Sequence, residues 1–208
     1  MSQISNDVDY KTEVLNKYLL PALGCCVELD SEKLSDISRF VKLQDVIKYQ
    51  RLEAPGPREE GALWFPLNGM IHSYFYSDDR NSRSGTRIWA KRDFIFDDAS
   101  LLVGNSRSNY LEVLEPGQVL SINYMDLIKL MDKYKDIADG IQKLYIQHAT
   151  YYQKRSSLMQ QPPIKRVKQF REENPMFIRS TSQEVQSMHL NLSHRSYMSY
   201  LSKLKVGG

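Results

Sequence analysis

The spacing of apolar residues changes period twice along the chain, and each change marks a boundary. From Tyr10 to about Val41 the period is helical: Val14, Leu15, Tyr18 and Leu19 share a face before Pro21, and Leu34, Ile37 and Phe40 share another in a segment that starts at Ser31. Asp30 or Ser31 stands where a cap for that second helix belongs. The period then falls to two. "KLQDVIKYQRLEAPG", "LWFPLNGMIHSYFYS" with a corner at Asn68-Gly69, "TRIWAKRDFIF" and "YLEVLEPGQVLSIN" read as five or six short strands, and the polar "DDRNSRSG" as a hairpin loop. Strands this short, with turn signals this close together, predict a sheet folded on itself, a β-roll or jelly roll.

After Asn123 the helical period returns. Ile137, Ile141, Leu144, His148, Tyr151, Arg155 and Leu158 recur at alternating steps of four and three, one stripe along about six turns. Such a stripe needs a partner, either the β-roll or its own copy on a second chain. His148 and Arg155 favour the copy, because a groove between chains tolerates polar side chains better than a packed core does. Residues 135–161 are therefore expected to form a dimerisation helix. "QQPP" ends it, since Pro162 and Pro163 both lack an amide donor and push the residue before them out of the helical region.

Beyond the proline pair, Ile164, Val167 and Phe170 make "IKRVKQFREENP" amphipathic, and "TSQEVQSMHL" and "SHRSYMSYLSKLK" flank a corner at Asn191. Thr181 or Ser182 caps the first of these short helices, with Glu184 in its first turn, and Ser193 caps the second. Asn191 sits where a tight turn wants a residue that tolerates positive φ. Tyr197, Tyr200, Leu201 and Leu204 then face inward, and His194, Arg195, Ser196, Ser199 and Lys203 face out. This is the pattern of a helix-turn-helix.

Composition sharpens the division. The 208 residues are 41% hydrophobic and 25% charged, enough for one sizeable core and a small second one. The net charge of +3 says little until it is split at Pro163: residues 164–208 carry eight Lys or Arg against three Asp or Glu, and residues 1–163 carry twenty against twenty-two. A basic module after a near-neutral one suits attraction to a phosphate backbone. The longest apolar runs break at Pro, Asn and Gly well short of the roughly 18 residues of a membrane span, and the N-terminus lacks the basic start and apolar run of a secretory signal. A cytoplasmic protein that does not enter the membrane is expected. Cys25 and Cys26 are adjacent and cannot staple a domain; they are either a vicinal redox pair or buried thiols at a helix end. His72, His148, His189 and His194 lack the spacing of a zinc site, so no metal is expected. Nor does the chain show a Ser-His-Asp order, a phosphate-cradling loop or a carboxylate pair that would mark an enzyme.

The order of these elements resembles the Crp/Fnr family of bacterial transcription regulators, from about residue 12 to 205. The pieces that carry the resemblance are "LWFPLNGMIHSYFYSDDRNSRSGTRIWAKRDFIFDD", with Gly69 at a turn where the family keeps glycine, and "QQPPIKRVKQFREENP" leading into the helix-turn-helix. The join "FREENPMFIRSTSQEV" looks most like the Crp-like regulators of the Bacteroidetes. The resemblance implies an α+β fold: a double-stranded β-helix (jelly roll) of the cyclic-nucleotide-binding type at 1–134, the dimerisation helix at 135–161, and a winged-helix-like helix-turn-helix at 162–208.

It also implies two sites. In nucleotide-binding relatives a Gly-Glu pair, some ten residues and an Arg-Ser or Arg-Thr pair hold the ribose and cyclic phosphate. Here "DFIFDDASLLVGNSRSNYLEVLEPG" puts Phe96 at the glycine, Asp97 at the glutamate, Ala99 at the next small residue and Arg107-Ser108 at the phosphate pair, and Tyr151 and Tyr152 stand where the long helix completes the pocket. Asp97 is one methylene short and Phe96 narrows the space, which speaks against a cyclic nucleotide and for a changed ligand, an apolar or aromatic effector, or none. No cofactor is fixed by these residues. In the second site Ser193, His194, Arg195, Ser196, Ser199 and Lys203 line the helix that enters the major groove of double-stranded DNA in relatives. Ser199 replaces a frequent arginine, and Gln186 replaces a buried aliphatic of the first helix, which puts the helix packing in question. Two functions follow: a homodimeric transcription regulator with an unidentified small-molecule effector, or a small-molecule or protein-binding module whose DNA-binding domain has decayed.

Overall fold

A computed structural model describes residues 10–24, 31–77 and 82–206. Cys25, Cys26, Asp30 and the tip of the polar hairpin loop lie outside the described residues. Residues 10–22 form α1, which widens to a π-helical turn at Leu15–Leu19 where Pro21 follows, and α2 runs Ser31–Phe40. Seven strands come next: β1 Lys42–Val46, β2 Arg51–Glu53, β3 Ala62–Pro66, β4 Met70–Ser77, β5 Ser82–Trp89, β6 Tyr110–Glu115 and β7 Gly117–Asn123. The helices after them are α3 Tyr124–Lys133, α4 Lys135–Met159, α5 Pro163–Glu173, α6 Pro175–Ser180, α7 Gln183–His189 and α8 His194–Val206.

The strands form two antiparallel sheets, β1-β7-β3 and β2-β6-β4-β5. Because strand side chains alternate in direction, each strand feeds two layers. In β3, Leu63 and Phe65 point to α1–α4, with Leu120 and Ile122 of β7 beside them. Trp64 and Val119 point the other way, into a core between the sheets with Ile71, Trp89, Leu111 and Val113. On the far side of the second sheet Met70 and Leu114 meet Leu158, Val167, Phe170, Phe177, Leu190 and Tyr197. The molecule is thus four layers deep: helices, sheet, sheet, helices. Each large apolar side chain enclosed at these contacts contributes about 1.5–3 kcal/mol, so the C-terminal helices are held against the β-roll and not merely tethered to it.

The expected helices and strands are present, with differences of detail: seven strands are named among the described residues where five or six were expected, and the strand expected over "TRIWAKRDFIF" ends at Trp89. Ser82–Gly85 belong to β5 and not to the hairpin loop, because β4 and β5 pair as far as Ser77 and Ser82. The short helix α6 was not anticipated; Pro175 at its first position and the bond from Thr181 Oγ1 to Phe177 O at its end define it. Thr181 thereby belongs to α6, and Ser182 caps α7 by accepting from Val185 N at 3.3 Å. Asn191 takes the left-handed conformation expected of it, with φ of 51°. Among the described residues the C-terminal unit is helical throughout, from α5 to α8.

The stripe read as a dimer seam does something else. Ile137, Ile141 and Leu144 pack into the core of the first layer, Leu158 into the core beneath the C-terminal helices, and His148 and Arg155 bond to residues of the same chain. Tyr151 lies over Arg87, with the guanidinium 4.4 Å from its ring. The bland alternative holds: this face covers the roll. The face turned to solvent is displaced by one residue, about 100° around the helix. It carries Gln142, Tyr145, Ala149, Tyr152 and Ser156 at steps of three and four, with Ile146, 63% exposed, at its flank.

The corner between β3 and β4 leads from one sheet to the other and depends on a backbone that a side chain cannot share. Gly69 has φ of +84°, and a Cβ there would lie 2.6 Å from Glu115 O. Gly69→Ala is expected to destabilise the protein by about 2 kcal/mol or more, read as a lower denaturation midpoint in urea with an unchanged slope.

Candidate functional site

The residues that the resemblance assigned to an effector do converge. A cavity of about 250 Å³ is bounded by Phe96, Asp97, Asp98, Ala99, Arg107, Ser108 and Tyr152, with Glu53, Ser73, Trp89, Ile95, Asn109 and Leu111 completing it. Tyr151, expected here too, is not part of its wall. It faces the cleft between α4 and α5 with Lys154, Arg155 and Gln161. Phe96 is buried against His148, ring centroids 4.5 Å apart, and lines the cavity without filling it.

The polar groups of this cavity are largely occupied. Arg107, its side chain 4% exposed, pairs with Glu53 at 3.2 Å and Glu60 at 3.6 Å, and its Nε donates to Pro57 O. Glu53 is equally enclosed; burial raises its carboxyl above the usual range, opposed by hydrogen bonds from Trp64 Nε1 and Ala62 N and by the Arg107 charge. Asp97 Oδ1 accepts from Ser100 N and so caps the short helical turn Ala99–Val103, while its amide donates to Tyr124 Oη at 2.7 Å. Asp98 pairs with His148 Nδ1 at 2.8 Å, and the other ring nitrogen meets Phe94 O at 3.1 Å. A phosphate arriving at Arg107 would have to displace the enclosed Glu53 carboxylate, and an enclosed ion pair is costly to break from one side; the exposed Glu60 is a weaker competitor.

Sequence reading missed Arg87. Its guanidinium lies 3.7 Å over the Trp89 ring and 4.4 Å over Tyr151, and Nε and Nη1 are enclosed with no hydrogen-bond partner. Burial lowers its affinity for a proton, while the nearby Tyr152, Tyr151, Asp93 and Asp98 act the other way. An arginine two residues before a tryptophan in a period-two strand was the available signal, since both must share one face. Glu53 gave no such sign, because the partner it meets lies far along the chain.

The helix-turn-helix is assembled from α7, the Asn191 corner and α8. His194, Arg195, Ser199 and Lys203 are exposed, as is Ser193, while Ser196 is half-buried and bonded to the Ser193 hydroxyl at 2.8 Å. Ser193 Oγ also accepts from Ser196 N, which makes it the cap of α8. Gln186 does not weaken the packing as its position suggested. The side chain is buried, and Nε2 donates to Ile178 O and Thr181 O while Oε1 accepts from Tyr197 Oη at 2.6 Å and Arg171 Nη1 at 3.3 Å. One amide therefore joins α5, α6, α7 and α8, with every lone pair and proton engaged.

No protein-family model matches the chain, and no curated protein matches it in sequence. Solved structures do match it in shape. A putative transcriptional regulator of the Crp/Fnr family from Eubacterium rectale superposes with a TM-score of 0.75 at 16% identity, covering 87% of this chain and 86% of its own. The c-di-GMP-responsive global regulator CLP of Xanthomonas campestris gives 0.69 at 14% identity, with 86% and 93% covered. FixK2 of Bradyrhizobium japonicum gives 0.67 at 17%, with 81% and 86% covered. The fold is thus that of the Crp/Fnr-type regulators: a cyclic-nucleotide-binding-like β-roll, a long connecting helix and a C-terminal helix-turn-helix.

The Gln186 network sets an expected cost. Gln186→Ala leaves Tyr197 and two carbonyls short of a partner and opens a cavity between four helices, for a loss of about 2–4 kcal/mol. Chemical denaturation of the variant against the parent measures it.

Proposed function

We propose that this protein is a homodimeric transcription regulator without catalytic activity, which binds double-stranded DNA through α8 and senses a small molecule in its β-roll. The observation that carries the reading is the exposed face of α8: His194, Arg195, Ser199 and Lys203 stand free on a helix whose opposite side is fixed by Tyr197 and Gln186. Arg195 has the fork geometry to read a guanine edge, and the capped start of α8 offers amides to a phosphate. The +5 balance of residues 164–208 supplies the attraction to the backbone. Residues 1–134 act as the sensor, 135–161 as the connector and 162–208 as the DNA-binding unit.

The second copy docks on the solvent face of α4. Gln142, Ala149 and Ser156 alternate with Tyr145 and Tyr152 at heptad spacing, so that the small Ala149 and Ser156 of one helix leave room for the tyrosines of the other. Two such chains would set their recognition helices about 34 Å apart, one turn of B-DNA.

The effector is not a cyclic phosphate, since Arg107 is already neutralised by Glu53 and Glu60. The aromatic edges of Trp89, Phe96 and Tyr152 suit a flat, uncharged or weakly basic molecule. The alternative reading, a binding module with a decayed DNA-binding domain, loses its main support because Gln186 is fully bonded rather than misplaced.

Three outcomes test the proposal. In a random-site selection the parent enriches a pseudo-palindromic site, and Arg195→Ala lowers discrimination at one base of each half-site by about 1–3 kcal/mol while leaving non-specific affinity almost unchanged. Equal discrimination by both proteins would refute the reading. Tyr145→Glu, placed on the solvent face of α4, shifts the solution mass from two protomers to one, whereas a parent that is already a single protomer contradicts the dimer. Titration calorimetry with cAMP and cGMP gives no saturable heat; micromolar binding of either would show that Arg107 can be released.

A further inference from the structure

His72 of β4 and His189 of α7 face each other across the contact between the β-roll and the C-terminal helices, and both are wholly buried. His72 Nδ1 lies 3.0 Å from His189 Nε2, and His72 Nε2 lies 3.4 Å from Glu112 of β6. A hydrogen bond between two ring nitrogens holds one proton, and His189 Nδ1 has no hydrogen-bond partner among the described residues. That nitrogen is pressed against Gly85 of β5, where a Cβ would sit 2.5 Å from it. Arg155 of α4 closes the same contact by donating to Gly85 O and to His189 O at 2.9 Å. Phe177 of α6 and Phe170 of α5 complete the wall, with rings 5.0 and 6.5 Å from that of His189. The other charged or titratable neighbours, Tyr74, Arg83 and Arg51, belong to the His72 side, where Tyr74 Oη approaches Glu112 at 3.5 Å, Arg83 covers the Tyr74 ring, and Arg51 of β2 stands opposite Glu112 in the strand pairing and bonds Tyr74.

We propose that the His72–His189 pair is a proton-operated latch, which holds the C-terminal helical unit against the β-roll while His189 is neutral and releases it in mild acid. A second proton on His189 has no place to go in the docked form. It would create a buried cation with one N–H aimed at apolar wall and the Arg155 guanidinium beside it. Burial, then the His72 and Arg155 charges, accordingly hold the His189 ring well below the ordinary histidine value of 6.5. Glu112 is held below the usual carboxylate range, chiefly by its bond to His72, and stays ionised through the same window. The sign follows from linkage. A group with a lowered pKa in the docked form favours docking fully above its free value, and that contribution is lost as pH falls below about 6.5. The latch does not depend on the DNA-binding reading, because it concerns the contact between two parts of one chain.

Hydrogen exchange of the full chain between pH 7.5 and 5, corrected for intrinsic rates, tests it together with the ring signals of both histidines in labelled protein. Protection in β5 and α7 falls by up to about tenfold per pH unit below 6.5, the limit for one proton, while β1, β3 and β7 keep theirs. His189 takes up its proton over the range in which protection is lost. Gly85→Ala, which drives a methyl into His189, exchanges at pH 7.5 as the parent does in acid. Constant protection of β5 and α7 across the range overturns the latch. So does His189 titrating at its ordinary value, a spectrum in which only His72 takes up a proton while docking persists, or Gly85→Ala behaving like the parent at pH 7.5.

Discussion

Met70–Tyr74 of β4, at the heart of the second sheet, are shut off from water on both faces, and much of the architecture is a response to that constraint. A strand in such a position cannot alternate apolar with charged; it must offer something buriable at every step. β4 does so with Met70 and His72 toward the helices and Ile71 and Ser73 toward the other sheet, and β6 does so with Leu114 on one side and Leu111 and Val113 on the other. The helical unit that covers the outer face is therefore part of the folded stack. Where apolar cover is incomplete, polar groups were enclosed in pairs: His72 with His189, Arg155 with two carbonyls, Ser180 with Glu115. Groups buried this way cost little while matched and much when separated.

Most of the element order was legible from periodicity, because alternation of two and of three and four leaves an unambiguous trace over ten or more residues. The long helix shows the limit of that signal. Its stripe from Ile137 to Leu158 is real, but spacing alone does not say whether a face meets the same chain or another. α4 has a buried face and a solvent face, and the stripe read from the spacing is the one that went to the roll. His148 and Arg155 looked like groove residues because their partners, Asp98 and the carbonyls of Gly85 and His189, come from segments with no sequence proximity to them. Gln186 misled for the same reason. A lone polar residue at an apolar position reads as a defect until its four partners, from three other stretches of chain, are known.

The cavity was only half legible. Phe96, Asp97, Arg107 and Ser108 were found by position in a cassette, and the fold does bring them to one space. Their availability was not encoded there. Arg107 is claimed by Glu53, a residue of β2 whose interest in it no local pattern announces, and Asp97 is engaged in capping the start of a helical turn. The chemistry left at the surface of the cavity is consequently aromatic, and its acids and its arginine are turned toward one another.

The length of α4 gives one more consequence. Twenty-five residues make a rod of about 37 Å, rooted in the first core at Ile137 and Ile141, passing the cavity at Tyr152, and ending where the two prolines let the chain bend. A tilt of about 5° at the root would carry the far end by about 3 Å, roughly the reach of one hydrogen bond. A rod of that length would turn a tilt too small to reorganise the first core into a displacement the size of a polar contact at its far end, where Leu158 packs under the C-terminal helices.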